Sequence, residues 1–341
     1  MGLSRRLSAA VAAASLVAVA PALPAAASTP VGASAQASGH DLVVDRVAGA
    51  DRMATAVEIS KTYFPDGADV VYLATSKEFA DALVAGPAAA VEGGPVLLTR
   101  AGELDARVAA EITRLDPAKV VLVGREGALS NTVEQQVGAA TTGKVERIGG
   151  ENRYETARQL VLSVFDEAPV AFVATGRNFP DALSAAGAAG YEGAPVVLVP
   201  GEKRKPDSRT RALLDQLGTE ETVVVGGPAA VSDGFVYGLL DDGYDVYQYD
   251  GDDRYETNEF ATYEIALEAE TAFIATGRDF PDALAGAAVA AAQGAPVFLS
   301  KPTCIPRGIA ENIDEAEYLE RITLLGGAKV LGPGVESLTT C

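Results

Sequence analysis

The chain has no Trp, a single His and only two Cys in 341 residues, and each scarcity removes a class of chemistry. Without Trp, the largest flat stacking surface for a neutral sugar ring is missing. The one histidine, His40, lies before every repeated block described below, so Ser-His-Asp and Cys-His arrangements lack their base. Cys304 and Cys341, with no His near them, cannot supply a zinc set. No Gly-x-Gly-x-x-Gly or P-loop lysine pattern follows an apolar run, so phosphate-cradling nucleotide loops are absent too. Asp250-Gly251-Asp252-Asp253 resembles a fragment of a calcium loop but lacks the twelve-residue spacing and the closing Glu. Neither a metal nor a cofactor is expected. Acids are plentiful, so an extracellular carboxylate-dependent hydrolase stays open as an alternative.

Positive charge is also scarce. Lys and Arg number 27 against 47 Asp and Glu, for a net charge of −20. Such a surface repels nucleic acid and anionic membrane, and any anion it binds must meet a local basic patch. Apolar runs occur near the start and, as an Ala-rich stretch of about half a membrane span's length, from Ala283 to Ala292. Arg5 and Arg6 form a basic n-region, Ala9 to Val19 an apolar stretch, and Ala25-Ala26-Ala27 a small-residue cleavage site. The stretch is shorter than the roughly 20 residues a membrane span needs. Residues 1–27 therefore read as a signal peptide and 28–41 as an Ala/Ser/Gly linker. The expected product is secreted and free of the membrane once the signal is cleaved. In that oxidising compartment Cys304 and Cys341 are expected to form a disulfide rather than two free thiols.

What the chain does contain is repetition. Arg52, Arg153 and Arg254 are each 101 residues apart, and each is followed three positions later by Thr. Ala74-Thr75-Ser76-Lys77 recurs as Ala174-Thr175-Gly176-Arg177 and Ala275-Thr276-Gly277-Arg278, each leading through Phe79, Phe179 or Phe280 to Asp81, Asp181 or Asp282. A Pro-Val run (Pro95, Pro195, Pro296) and an apolar run ending at Gly124, Gly226 or Gly326 complete each set. Four blocks in one order three times establish a triplication: 42–141, 142–243 and 244–341.

Each copy alternates short β-branched runs with helical stripes. Tyr154, Ala157, Leu160, Val161 and Val164 follow a helical period, whereas Val170 to Ala174 and Val196 to Val199 read as strands buried on both faces. The alternation predicts an α/β module with about four mainly parallel strands, and the last helix of the third copy is expected to be reduced.

Ligands of such sheets sit beyond the carboxyl ends of the strands, where the Ala-Thr-Gly-Arg block is expected. Thr75, Thr175 and Thr276 offer hydroxyls there, and Lys77, Arg177 and Arg278 offer cations that either meet an anion or are simply solvated. Phe, Pro and Asp in this block fit packing and capping. Arg52, Arg153 and Arg254 face two readings: ligand contacts, or inter-module ion pairs with Asp81, Asp181 and Asp282.

The blocks around Arg153-Tyr154, Ala174-Thr175, Ala194-Pro195 and Val225-Gly226, with their counterparts in the other copies, resemble the second type of cell wall binding repeat. The resemblance spans residues 42 to 341. It implies Rossmann- or toprim-like modules packed with pseudo-threefold symmetry. It further implies non-covalent anchoring to the Gram-positive wall through an anionic secondary polymer, at the cell surface and without enzymatic activity. The family usually attaches an effector domain to the triplet; none is evident in this chain, which makes a bare anchor or a self-assembling surface-layer protein the alternative. Met53 and Ala80 depart from the Tyr and Pro of the other copies, and Gln248-Tyr249-Asp250-Gly251 from Arg147-Ile148-Gly149-Gly150.

Overall fold

The computed structural model describes residues 42–77 and 83–341. The leader and linker expected over 1–41, and Phe79, Ala80 and Asp81, lie outside the described residues. The first copy runs β1 (Val43–Val47), α1 (Arg52–Tyr63), β2 (Val70–Thr75), α2 (Ala85–Glu92), β3 (Val96–Thr99), α3 (Ala106–Leu115), β4 (Lys119–Val123) and α4 (Asn131–Ala140). The second repeats this as β5 (Lys144–Ile148), α5 (Arg153–Val164), β6 (Val170–Thr175), α6 (Pro180–Tyr191), β7 (Val196–Val199), α7 (Ser208–Gln216), β8 (Glu221–Val225) and α8 (Asp233–Asp242). The third is β9 (Asp245–Tyr249), α9 (Arg254–Glu268), β10 (Thr271–Thr276), α10 (Pro281–Ala292), β11 (Val297–Ser300), α11 (Arg307–Glu315), β12 (Arg321–Leu325) and α12 (Pro333–Glu336).

Every strand pairing is parallel, and the strand orders are β3-β2-β4-β5, β7-β6-β8-β9 and β11-β10-β12-β1. Each copy supplies four strands, as the alternation predicts, but the first of the four leaves its own copy. It joins the edge of the preceding sheet, and β1 joins the last. Val44 thus lies opposite Ile322, as Val145 lies opposite Val120. The copies are the unit of repetition; the unit of sheet formation is shifted by one strand. The chain closes as a ring.

One donor position secures each shared edge. Arg46 Nη1 reaches the Gly326 carbonyl at 2.7 Å, Arg147 Nη1 the Gly124 carbonyl at 3.0 Å, and Gln248 Nε2 the Gly226 carbonyl at 2.9 Å. The departure at Gln248 therefore keeps the bond and drops the charge.

The Ala-rich helices α2, α6 and α10 pack on one another at the centre, walled by the three sheets. Their small residues serve close approach between modules, since a buried helix can come near another only where side chains are short. A Cβ on Gly190 would overlap the Ala291 Cβ and sit 3.8 Å from the Ala90 Cβ, so one glycine marks the meeting of all three helices. Helices α1, α5 and α9 each bridge the third strand of their own copy and the central helix of the preceding one. One apolar core runs through all three modules, with a smaller cluster apart from it in the third sheet and another in the second. Within the main core Asn258 of α9 donates to Ser184 Oγ at 3.1 Å and the Val297 carbonyl at 3.0 Å, and accepts from Leu299 N–H at 2.7 Å.

The ring ends as the sequence implies. Helix α12 has four residues where α4 and α8 have ten. Instead the C-terminal residues pair with the loop after β11, through an Ile305–Thr340 bridge and a Cys304–Cys341 disulfide.

Gly190→Ala is expected to destabilise the fold by about 1–3 kcal/mol in denaturant titration. Gly138→Ala, on the open face of α4 with nothing within 4 Å of an added Cβ, should be neutral or stabilising by up to about 1 kcal/mol. The Cys304→Ser/Cys341→Ser variant should lose about 2–4 kcal/mol, with the earliest loss of amide-exchange protection around Ile305 and α12.

Candidate functional site

The carboxyl ends of the three sheets carry the repeated blocks, and most of their residues hold one another. Asp51, Asn152 and Asp253 cap α1, α5 and α9, each accepting two main-chain N–H bonds. Thr55, Thr156 and Thr257 are buried and accept from the Gly49, Gly150 and Gly251 amides at 3.1, 3.0 and 3.1 Å. That fixes the turn from strand to helix.

Between these residues stands the repeated arginine. Arg52 Nη1 bonds the Ser76 carbonyl at 2.8 Å, and Arg153 and Arg254 bond those of Gly176 and Gly277 at 2.7 Å each. The Arg52 guanidinium lies 5.8 Å from the Phe280 ring centre and Arg254 lies 5.6 Å from that of Phe179, a phenylalanine of the preceding copy in each case. Arg52 also pairs with Asp279 at 3.0 Å. Arg52 and Arg254 thus join neighbouring modules. The Asp partners differ from expectation: Arg52–Asp282 and Arg254–Asp181 do not meet at ion-pair distance. The carbonyl and the ring occupy each guanidinium, which acts on the aspartate only through space.

Asp181 and Asp282 sit in the first turns of α6 and α10, after Pro180 and Pro281. A Cβ on Gly226 or Gly326 would lie 2.7 or 2.6 Å from the carboxylate, and both glycines have φ near the left-handed region at +114° and +117°. Only glycine satisfies both constraints. Burial pushes both carboxyls up to about 6; Arg254 opposes the shift at Asp181, while the Thr55 hydroxyl and Arg52 oppose it and Asp279 adds to it at Asp282. Asp282 Oδ1 is buried and without a hydrogen-bond partner.

Thr75, Thr175 and Thr276 are buried, and their hydroxyls accept from the amides of residues 77, 177 and 278, at 3.4, 3.3 and 3.2 Å. They shape the loop and do not face solvent. Lys77, Arg177 and Arg278 do face it. Arg177 keeps a loose 3.7 Å pair with Glu202. Under this loop Tyr154 and Tyr255 pack so closely that a Cβ on Gly176 or Gly277 would lie 2.6 or 2.5 Å from the ring. The first copy changes both partners together, to Met53 and Ser76. A side chain at the loop position is compatible with removal of the ring.

Sequence reasoning passed over a basic stretch in the second copy. Residues 203–211 hold Lys203, Arg204, Lys205, Arg209 and Arg211 against Asp207 alone, a reversal of the charge balance that was visible in the sequence. Lys203, Arg204 and Lys205 are exposed on the loop after β7. Arg209, of the same stretch, lines a cavity of about 450 Å³ between the first and second copies, with Arg125, Glu151, Glu155 and Gln159 on its other walls.

This geometry has known counterparts. The family described as Cell wall binding domain 2 (CWB2) matches residues 46–134, 147–236 and 248–336. The chain belongs to that family. It is 27% identical over 295 residues to N-acetylmuramoyl-L-alanine amidase LytC of Bacillus subtilis (strain 168), a match covering 86% of this chain and 58% of the amidase. Among solved structures it resembles Cwp6 from Clostridium difficile, with a TM-score of 0.80, 26% identity and coverage of 89% of this chain and 48% of that one. Cwp8 from Clostridium difficile gives a TM-score of 0.78, 28% identity and coverage of 86% and 51%. The chain therefore spans about half the length of these CWB2 relatives. No helix among the described residues is long and apolar enough to cross a membrane.

The two raised carboxyls set a pH dependence with a definite sign. Their unfolded value is about 3.9, so the folded state holds more protons between about 4 and 6 and its stability falls as pH rises through that window. Asp282→Asn should therefore raise stability by about 1–2 kcal/mol at pH 7.5, and by almost nothing at about pH 4, when thermal unfolding is followed at both values.

Proposed function

We propose that the ring is a non-covalent attachment module that holds an exported protein to the Gram-positive cell wall through an anionic secondary polymer. The observation that carries this reading is the placement of Lys77, Arg177 and Arg278. They are exposed and evenly phased at the carboxyl ends of the sheets, on loops held by the buried Thr and the repeated Arg. Membership of a cell wall binding family supports the location at the cell surface. The overall charge of −20 makes these local cations the place where an anion is tolerated.

We read the ring as a binder and assign it no amidase activity. It matches a little over half of the amidase LytC, and the repeated positions carry no His base. The division of labour assigns Arg52 and Arg254 to joining the modules, Arg153 to holding its own loop, and Lys77, Arg177 and Arg278 to the ligand.

Mature protein should be retained on purified sacculi and released when the anionic polymer is extracted. The Lys77→Ala/Arg177→Ala/Arg278→Ala variant should lose about tenfold in retention with an unchanged melting temperature. Equal retention on intact and stripped sacculi would reject the polymer as ligand.

A further inference from the structure

The three junctions of the ring share one backbone and differ in charge. Arg125, in the loop after β4, corresponds to Gly227 and Gly327 in the other copies, and Arg209 to Arg107 and Gly308. At the junction of the second and third copies the matching positions give Asp250, Asp252 and Glu256 with no cation among them. Nearby, Glu259 packs over Gly308, its carboxyl pushed up by burial and by Glu256, Glu311 and Asp253. At the junction of the third and first copies Arg107 is occupied, held at 2.8 Å by Asp105 and at 2.9 Å by Asp51.

Among the described residues at the positions matching this cavity wall, only those of the junction of the first and second copies leave cationic capacity. There Glu155 is matched twice, by Arg158 at 2.8 Å and Arg209 at 3.2 Å, while the Arg209 side chain remains 63% exposed. Arg125 is exposed and has no ion-pair partner among the described residues, and Glu151 is the one acid left to oppose it on the cavity wall. Along α5 the cavity wall adjoins the support of the Arg177 loop. Glu155 borders the cavity, whereas the adjacent Tyr154 packs on Gly176 and senses Glu202 and Arg177. Beyond Glu202 come Lys203, Arg204 and Lys205.

We propose that this junction is the strongest anion site of the ring: the cavity between Arg125 and Arg209 takes a phosphate or carboxylate group of a glycan chain. The basic 203–205 loop and Arg177 guide the adjoining units, and the other two junctions offer the polymer only the exposed Lys77 or Arg278. The proposal rests on the wall-polymer reading and makes it asymmetric.

The test is retention of the mature protein on sacculi, with soluble poly(glycerol phosphate) and polygalacturonate as separate competitors. Arg125→Gln/Arg209→Gln should reduce retention about fivefold or more, whereas Arg307→Gln, an exposed cation at the start of α11 paired with Glu311, should change it by less than about twofold. Both variants alter exposed side chains, and circular dichroism and melting temperature confirm that they fold. Competition by poly(glycerol phosphate) alone assigns a phosphate, competition by polygalacturonate alone a carboxylate, and either supports the site. Failure of the wild type to bind sacculi at all would overturn the attachment function itself. Polymer-dependent binding with full retention of Arg125→Gln/Arg209→Gln, equal losses from Arg307→Gln, or competition by neither polyanion would overturn only the junction site.

Discussion

The parallel pairing of β1 with β12 ties the first residues of the ring to nearly the last, and the remaining architecture is arranged around that closure. Because each copy lends its opening strand to the sheet before it, no module owns a complete sheet. A lone copy would expose an unpaired edge and the apolar side of its Ala-rich helix, both costly in water. The triplet is therefore the smallest self-consistent unit. The same hand-over places the start of α1, α5 and α9 at the carboxyl end of a neighbouring strand, which is where an inter-module crevice must form.

Within that frame the repeated arginine does structural work through a favourable choice of partners. A buried ion pair recovers its desolvation cost only with good geometry and further hydrogen bonds. A carbonyl at 2.7–2.8 Å and an aromatic face satisfy a guanidinium with less ordering of a second charge. The consequence falls on Asp181 and Asp282. They stay half-buried against glycine turns without a direct counter-charge, and their carboxyls rise accordingly.

Electrostatic asymmetry is laid over this geometric symmetry. The copies agree where backbone, core and capping require it, at Thr, Gly and Arg positions with one permitted geometry. They diverge on the cavity walls, where Arg125, Gly227 and Gly327 occupy one backbone position with no consequence for packing. Freedom from packing is what allows charge to vary there.

The sequence by itself determined the triplication, the α/β class with parallel strands, the shortened last helix and the Cys304–Cys341 pairing. These depend on periodicity, on continuous β-branched runs and on a count of two cysteines, all of which are local. It also marked Arg52, Arg153 and Arg254 as a set and posed the choice between ligand and inter-module partner. Only the tertiary structure decided that β1 completes the last sheet and that Arg52 and Arg254 meet a carbonyl and a phenylalanine of the preceding copy rather than Asp282 and Asp181. Only it showed that Arg125 and Arg209, 84 residues apart, face one cavity. Partners so distant in the chain are fixed by how the ring closes, and ring closure leaves no periodic trace in the sequence.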